Sequence, residues 1–275
     1  MNFSEAMREA TAELRQGGVS DPEREAQYIL QWATGKDWGD WVAWGGSLDT
    51  EVWRMAQKAI QRRVAGEPWA YITGHREFFG LDFWVNPSVL IPRPETELLV
   101  QWVLDELGHD PWRVVDVGCG SGAIALALRS RRPSWTLYGV DVSPGSVATA
   151  YRNGEHLGLT VNWMPSDLLS RVPKPVDAIV ANLPYVDPFS DQVSPETRYE
   201  PKVALFAEDK GLGVIHRLIE QAPHWLSKKG QIFLECGWDQ AGAIVNLLDA
   251  LRFDHPRVRQ DYAGHDRMVA ARLID

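Results

Sequence analysis

Apolar residues recur every three or four positions through the first quarter of the chain, which is the spacing of one face of an α-helix. Three such segments follow one another, and each is closed by glycine, a residue common at helix C-termini. They are FSEAMREATAELRQGG, PEREAQYILQWATG and LDTEVWRMAQKAIQRRVAG. We therefore predict a small helical bundle over residues 1–70 that forms a domain of its own.

Tryptophan is concentrated between the second and third of these helices. The segment WGDWVAWGG, Trp38 to Gly46, contributes to a total of 13 Trp residues in the chain. The rings either fill a small core that has few other large side chains or form a surface to which a partner docks.

The hydrophobic period changes after residue 70. The segment REFFGLDFWVNPSVLIPRPETE contains two short aromatic-rich runs around Gly80-Leu81-Asp82, which predicts a β-hairpin. Pro92 and Pro94 then mark the entry to a helix, ETELLVQWVLDELG. We predict a hairpin linker over residues 71–93 that joins the helical domain to a second domain over residues 94–275.

Strand and helix patterns alternate from Pro111 onwards, which predicts an α/β fold with a doubly wound, mostly parallel sheet. Seven strand patterns are present: WRVVDVG, TLYGVDV, TVNWMPSD, VDAIVANLP, GQIFLECG, RVRQDY and DRMVAARL. The last two are separated by only Ala263-Gly264-His265, which is too short for a crossover helix. We therefore predict a seven-stranded sheet with an antiparallel terminal strand.

The composition, 45% hydrophobic and 24% charged, is that of an ordinary globular protein. No apolar run approaches the roughly 20 residues that span a bilayer, and the start MNFSEAMREATAELRQ lacks the apolar core of a signal peptide. We expect a cytoplasmic protein without membrane contact.

Cys119 and Cys236 have no Cys or His companions at ligand spacing, so neither a disulfide nor a metal site is expected.

The net charge of -9 argues against a broad nucleic-acid surface, because neutralising phosphates requires clustered Lys and Arg. The two notable basic runs, QRRVAG from Gln61 and RSRRPSW from Arg129, are typical of solvated helix ends. We expect a protein or small-molecule partner and no direct binding of nucleic acid. We also expect a monomer.

A glycine-rich loop lies between the first strand of the alternating region and the helix after it. The sequence VVDVGCGSGAIAL, Val114 to Leu126, allows backbone N–H groups of Gly118, Cys119, Gly120, Ser121 and Gly122 to approach a ligand closely. The pattern also fits the dinucleotide fingerprint G-x-G-x-x-A, with an acid about 20 residues further on. The glycines alone do not choose the cofactor.

Asp116 favours a cationic ligand over a pyrophosphate. An anion about 4 Å from its carboxylate would be repelled by about 1 kcal/mol in water and by several times more when partly buried. S-adenosylmethionine carries a sulfonium and an ammonium, so we predict this cofactor. The alternative is that Asp116 merely caps a helix.

Three further residues are candidates for holding the nucleoside part of the cofactor. Asp141 is placed to take the ribose hydroxyls by charge-assisted hydrogen bonds. Asp167 is placed for the exocyclic amine of adenine and Leu168 for the face of its ring. Helix capping by the two aspartates is the alternative here too.

The buried strand VDAIVA ends in Asn182-Leu183-Pro184-Tyr185, an amide and an aromatic ring around a proline. An amide or aromatic amine nitrogen is a poor nucleophile because its lone pair is delocalised. The Asn182 side-chain oxygen and the Leu183 carbonyl could accept its two hydrogens, and Tyr185 could stack on its plane. We predict that this tetrapeptide is the catalytic and substrate-binding element, with Asn182 also beside the cofactor.

Taken together, these residues resemble the class I S-adenosylmethionine-dependent methyltransferases with an NPPY-type motif. The fuller likeness, to the release factor glutamine N5-methyltransferases, runs nearly end to end through the following blocks: GEPWAYITGHREFFGLDFWVNPSVLIPRPETELLV, VVDVGCGSGAIAL, NLPYV, YEPKVALFAEDKGL and GQIFLECGWDQ. The resemblance implies methyl transfer to the glutamine of the GGQ tripeptide in class-1 peptide chain release factors. It also implies that the helical domain helps to bind that substrate.

Carried over by position, the resemblance assigns Gly118 to Gly122, Asp141 and Leu168 to the cofactor and Asn182 to Tyr185 to the glutamine. The chain departs from the family at Leu183, where proline is more usual. Because the chemistry would use the carbonyl of this residue, activity is expected to survive.

Three alternatives stay open at this point. The target could be a glutamine of a ribosomal protein, or an adenine or cytosine amine of a nucleic acid whose base flips onto Tyr185. The third is a binding module without activity.

Four charged residues near the junction of the two domains have two interpretations. They either orient the substrate or belong to a helix N-terminus, and they are Glu77, Arg93, Glu95 and Glu97.

Overall fold

The computed structural model describes residues 1–37, 39–40, 46–190 and 195–274. These residues divide into two compact units, Met1–Gly74 with Ser194–Tyr199, and His75–Val193 with Glu200–Asp275. Most of the Trp-rich segment, residues 38 and 41–45, lies outside the described residues, so its two interpretations stay open.

The first unit is built on helices. They are α1 Phe3–Gln16, α2 Pro22–Thr34, α3 Thr50–Val64 and the short α4 Trp69–Thr73. Buried Ala, Leu and Ile side chains of the first three helices form its core, among them Leu14, Ile29 and Ile60. Small alanines between the helices allow their backbones to approach closely.

The second unit begins with the hairpin β1 His75–Phe78 and β2 Leu81–Trp84. The predicted hairpin is present, but its turn is Phe79-Gly80, one position earlier than the sequence suggests. Both turn residues have positive φ, 54° and 78°, because a two-residue hairpin turn of this kind needs left-handed backbone at both positions. Leu81 and Asp82 therefore belong to the second strand.

The remaining elements of this unit alternate as predicted. They are α5 Pro94–Leu107, β3 Arg113–Val117, α6 Ala123–Arg131, β4 Thr136–Asp141, α7 Pro144–Leu157, β5 Asn162–Pro165, β6 Val176–Ala181, α8 Gly213–Gln221, β7 Leu226–Glu235, α9 Ala241–Ala250, β8 Phe253–Gln260 and β9 Asp266–Leu273. Short 3-10 turns cover Pro195–Tyr199 of the first unit, and Lys202–Ala204 and Ala222–His224 of the second. The helix pattern GVIHRLIEQAPHWL is interrupted near Pro223, which has no N–H to continue the helix.

The seven strands form one sheet in the order β5-β4-β3-β6-β7-β9-β8. All neighbouring strands are parallel except for the two pairs that include β9. The prediction of a doubly wound, mostly parallel sheet with an antiparallel final strand is confirmed. Alternate strand residues such as Val114 and Val115 enter two separate cores, one on each face of the sheet.

Among the described residues, no helix is both long and apolar enough to span a bilayer.

Candidate functional site

A cavity of about 310 Å³ opens at the carboxyl edge of the sheet, beside the ends of β3, β4, β5 and β6. This edge is where ligands bind in doubly wound sheets, and the volume lies at the lower end of the usual range. All of its lining residues belong to the second unit. The predicted site residues that line it are Gly118, Cys119, Gly120, Ser121, Asp141, Asp167, Leu168, Asn182, Leu183 and Pro184.

The glycine loop forms the floor of this cavity and leads from β3 into α6. Gly118 has a φ of 74°, and a Cβ there would lie 2.9 Å from the Leu183 side chain. Gly122 also has positive φ, 83°, but a Cβ there would meet Trp163 at 2.8 Å. Gly122 is not among the residues that line the cavity, and its lack of a side chain serves packing against Trp163, so its contact with the cofactor stays a prediction.

Asp141 ends β4 and joins the glycine loop to the turn before α7. One carboxylate oxygen accepts from the N–H of Gly120 at 3.0 Å, and the other accepts from Ser143 at 2.8 Å. Burial raises the pKa of Asp141 above its usual value, while the two backbone donors oppose the rise. The carboxylate is thus held in a fixed position on the cavity wall.

Asp116 does not face the cavity, and this prediction is corrected. Its side chain is 1% exposed, and Oδ2 accepts from the N–H of Ala125 at 3.1 Å. The carboxylate is drawn to the first turn of α6, where backbone N–H groups lack helical partners. Burial raises the pKa of Asp116 to about 7. The capping alternative describes its observed contact.

Asp167 and Leu168 lie on the cavity wall after β5. Both carboxylate oxygens of Asp167 accept from Arg217 of α8, at 2.8 and 2.6 Å. Arg217 also lines the cavity, and sequence analysis did not identify it. Leu168 is buried with a positive φ of 48°, and the Ser166 hydroxyl donates to its carbonyl.

Asn182 follows β6 directly and lies beside the glycine loop, because β3 and β6 are neighbouring parallel strands. Its side-chain Nδ2 donates to the Thr96 hydroxyl oxygen at 2.9 Å. The next residue, Leu183, has its side chain buried against Gly118. Within the described parts of the chain, no hydrogen bond is made to the Asn182 Oδ1 or to the Leu183 carbonyl.

Tyr185 does not line the cavity, so the predicted stacking role is not seen in this arrangement. Its ring packs against the core, and its hydroxyl donates to Oε1 of Glu235 at 3.3 Å. Burial next to Glu235 raises the pKa of Tyr185. The hydroxyl is drawn inward because a buried polar group needs a partner.

Thr96 and Glu235 complete this cluster, and neither was identified from the sequence. The Thr96 hydroxyl donates to Oε2 of Glu235 at 2.7 Å, and both side chains are buried. Burial raises the pKa of Glu235 to about 7, against the effect of the hydrogen bonds from Thr96 and Tyr185. The available signal was an acid directly after the apolar run Ile232-Phe233-Leu234 at the end of β7.

The charged residues near residue 93 separate into two roles. Arg93 lines the cavity and pairs with buried Glu200 at 2.7 Å. Glu77 and Glu97 instead accept from the N–H groups of Gly80 and Phe79 and so fix the hairpin turn. No cluster of metal-binding side chains occurs in the ranges that the structure covers.

Two family models match the chain. The model described as PrmC N-terminal domain matches residues 5–74, and the model described as methyltransferase small domain matches residues 94–197.

Curated relatives match over almost their whole length. The release factor glutamine methyltransferase of Salmonella typhimurium is 37% identical over 278 residues, which covers 99% of each chain. The relative of the same name from Moorella thermoacetica is 38% identical over 281 residues, which covers 98% of each chain.

Solved structures share the fold at lower identity. The hMettl16 catalytic domain in complex with a MAT2A 3'UTR hairpin has a TM-score of 0.60 at 16% identity, covering 90% of this chain and 93% of that one. A methyltransferase from Pyrococcus furiosus has a TM-score of 0.56 at 16% identity, covering 80% of this chain and 98% of that one. At these identities the likeness concerns the fold alone.

Proposed function

The chain belongs to the release factor glutamine methyltransferase family, and from this premise we propose that it transfers a methyl group from S-adenosylmethionine to the side-chain amide nitrogen of the glutamine in the GGQ motif of class-1 release factors. The observation that carries the proposal is the fixed amide of Asn182, whose nitrogen is engaged by Thr96 beside the glycine loop.

The cavity fits the cofactor. Space is open above Gly120, where an added Cβ would meet nothing within 4 Å. Asp141 would accept from the ribose hydroxyls, Leu168 would cover the adenine ring, and Asp167 would accept from the adenine amine. When bound, S-adenosylmethionine supplies an electrophilic methyl group on a cationic sulfur.

Asn182 and Leu183 would hold the substrate amide. With Nδ2 of Asn182 donating to Thr96, Oδ1 is left to accept one amide hydrogen, and the Leu183 carbonyl can accept the other. Two acceptors would fix the plane of the NH2 group and favour the positive charge that develops on nitrogen as the methyl arrives. The nitrogen would then lose one hydrogen as a proton to water, which leaves a neutral N-methyl amide and S-adenosylhomocysteine. Correct placement of the two reactants can contribute several kcal/mol without a strong base.

Leu183 in place of proline is compatible with this chemistry. Its side chain is buried against the glycine loop, so the position is held by packing. Pro184 disfavours the helical region for Leu183 and keeps its backbone extended.

We propose that the helical unit docks the protein substrate. In this division residues 1–70 form the docking domain, residues 71–93 form the linker, and residues 94–275 form the methyltransferase domain. The unit has its own buried core, and none of the proposed catalytic residues lies in it. Hydrogen-exchange measurement on the full chain with release factor should show protection within residues 1–70. Protection confined to residues 94–275 would contradict this assignment.

Methylation of a nucleic-acid base is less well supported. The described arginines of both basic runs are engaged within the protein: Arg63 pairs with Glu25 and Glu196, and Arg129 donates to the carbonyls of Thr160 and Pro133. The net charge of -9 means that the chain has no excess of Lys and Arg with which to neutralise phosphates. We propose a cytoplasmic monomer that acts on protein.

Labelled S-adenosylmethionine tests the proposal. The purified chain is incubated with release factor, with release factor whose GGQ glutamine is replaced by alanine, with ribosomal proteins and with ribosomal RNA. Label on the unaltered release factor alone is expected. Label on a ribosomal protein or on RNA, or no label while a known family member succeeds, would overturn it.

A further inference from the structure

A buried chain of hydrogen bonds connects Glu235 at the end of β7 to Asn182 at the cavity. Glu235 is 2% exposed and Thr96 is 4% exposed. The Thr96 hydroxyl lies 2.7 Å from Oε2 of Glu235, and its oxygen lies 2.9 Å from Nδ2 of Asn182. Thr96 is therefore the only link between the acid and the amide among the described side chains.

The single hydrogen of the Thr96 hydroxyl gives this chain a direction. A carboxylate only accepts, so Thr96 must donate its hydrogen to ionised Glu235. The Thr96 oxygen can then only accept from Asn182, which requires the amide NH2 to face Thr96. The amide oxygen is consequently turned away from Thr96, toward the cavity that Asn182 lines.

We propose that Thr96 and Glu235 are positioning residues, and that ionised Glu235, acting through Thr96, sets which end of the Asn182 amide faces the substrate. The inference rests on the proposed function, in which the amide oxygen accepts a hydrogen from the substrate glutamine. Thr96 lines the cavity beside Asn182, but in this proposal both residues act through the Asn182 amide and not on the reacting atoms.

Protonation of Glu235 reverses the direction of the hydrogen bonds that connect Glu235, Thr96 and Asn182. A proton taken from water onto Oε2 is donated to the Thr96 oxygen, and the Thr96 hydrogen is then free for Asn182. The amide turns so that Oδ1 accepts from Thr96, and NH2 faces the cavity. The NH2 group of Asn182 would then face the NH2 group of the substrate glutamine, and the substrate amide would lose one of its two hydrogen-bond acceptors.

The surroundings make both states of Glu235 accessible near neutral pH. The charged and titratable groups that face it are Glu95 from α5, Tyr185 after β6, the neighbouring Cys236, and Arg267 from β9, while Arg93 acts on Tyr185. Arg267, which is paired with Asp261 at 3.2 Å, lowers the pKa of Glu235, whereas Glu95 raises it. The pKa of Glu235, raised by burial to about 7, agrees with this environment.

Nuclear magnetic resonance of the substrate-free protein reads the orientation without any turnover. The Asn182 side-chain NH2 signals are identified by their loss in Asn182→Ala and are followed across neutral pH. A step with a midpoint near pH 7 is expected, and it should vanish in Glu235→Gln and Thr96→Val. It should persist in Thr96→Ser, and in Asp116→Asn, which removes another buried acid with a pKa of about 7.

Kinetics give the second readout. Thr96→Val should lower kcat by up to about 100-fold with little change in KM for S-adenosylmethionine, and Thr96→Ser should restore most of it. The acid limb of the wild-type kcat profile should be absent in Glu235→Gln. Thermal melts confirm that each variant is folded.

The outcomes separate the two proposals. Signals of Asn182 that do not change with pH, a step that persists in Glu235→Gln, or full kcat in Thr96→Val would overturn the positioning role. Failure to methylate release factor would overturn the proposed function, yet it would leave the measured amide orientation standing.

Discussion

Val117 at the end of β3 and Ala181 at the end of β6 are direct partners in neighbouring parallel strands. The glycine loop and the tetrapeptide Asn182-Leu183-Pro184-Tyr185 therefore leave the sheet side by side. This pairing brings two segments about 60 residues apart in the chain to one cavity, and the sheet order alone produces it.

Replacing Asn182 by alanine should lower kcat by about 100-fold or more while leaving cofactor binding nearly intact. The change removes one of the two proposed acceptors for the substrate amide, and loss of one such preorganised group costs about 100-fold or more in kcat. Steady-state kinetics with release factor and calorimetric binding of S-adenosylmethionine measure the two effects. Asn246→Ala, an exposed asparagine on α9, is the matched control. Full kcat in Asn182→Ala would contradict the account of the site.

Gly122→Ala should destabilise the second unit by about 2 to 4 kcal/mol, because the new Cβ would lie 2.8 Å from Trp163 on a backbone with a φ of 83°. Urea denaturation gives the free energy of unfolding. Gly242→Ala is the control, since nothing lies within 4 Å of its Cβ position. Equal stability of the two variants would show that Gly122 is not held by packing.

Asp116 should make the protein less stable as pH rises toward neutrality. Its pKa is raised from 3.8 to about 7 in the folded state, so the folded state binds more protons between these values. This contribution is fully present below the unfolded pKa and is lost as pH rises through the folded pKa, at about 1.4 kcal/mol per pH unit. The slope of unfolding free energy against pH should be smaller in Asp116→Asn. An unchanged slope would argue against the raised pKa.

Arg63→Ala should destabilise the helical unit against unfolding. Arg63 is largely buried and pairs with Glu25 of α2 and with Glu196. Its removal leaves both carboxylates without this partner and should lower the free energy of unfolding by about 1 to 2 kcal/mol. Arg54→Ala, which removes an exposed pair with Glu51, should change it by less than about 1 kcal/mol. Comparable losses in both variants would remove the special role given to Arg63.

The sheet was predictable because each strand and helix carries its own hydrophobic period. The glycine loop and the tetrapeptide were predictable because their residues are adjacent in sequence at strand ends. The turn at Phe79-Gly80 was misplaced by one residue, since aromatic residues flank the turn on both sides and hide where the strands end.

The positioning pair was not predictable in the same way. Thr96 and Glu235 are 139 residues apart, and their contact depends on how α5 packs against β7. Asp116 illustrates the same limit, because a strand-end position does not determine whether a carboxylate faces the cavity or a helix N-terminus. Side-chain direction at these positions is decided by tertiary packing, which a local pattern does not contain.

A crystal structure of the chain with S-adenosylhomocysteine and a peptide containing GGQ tests the central claim most directly. We expect the glutamine NH2 to donate to Oδ1 of Asn182 and to the Leu183 carbonyl, with Nδ2 of Asn182 still donating to Thr96. A glutamine bound away from Asn182, or one held by other acceptors, would contradict it.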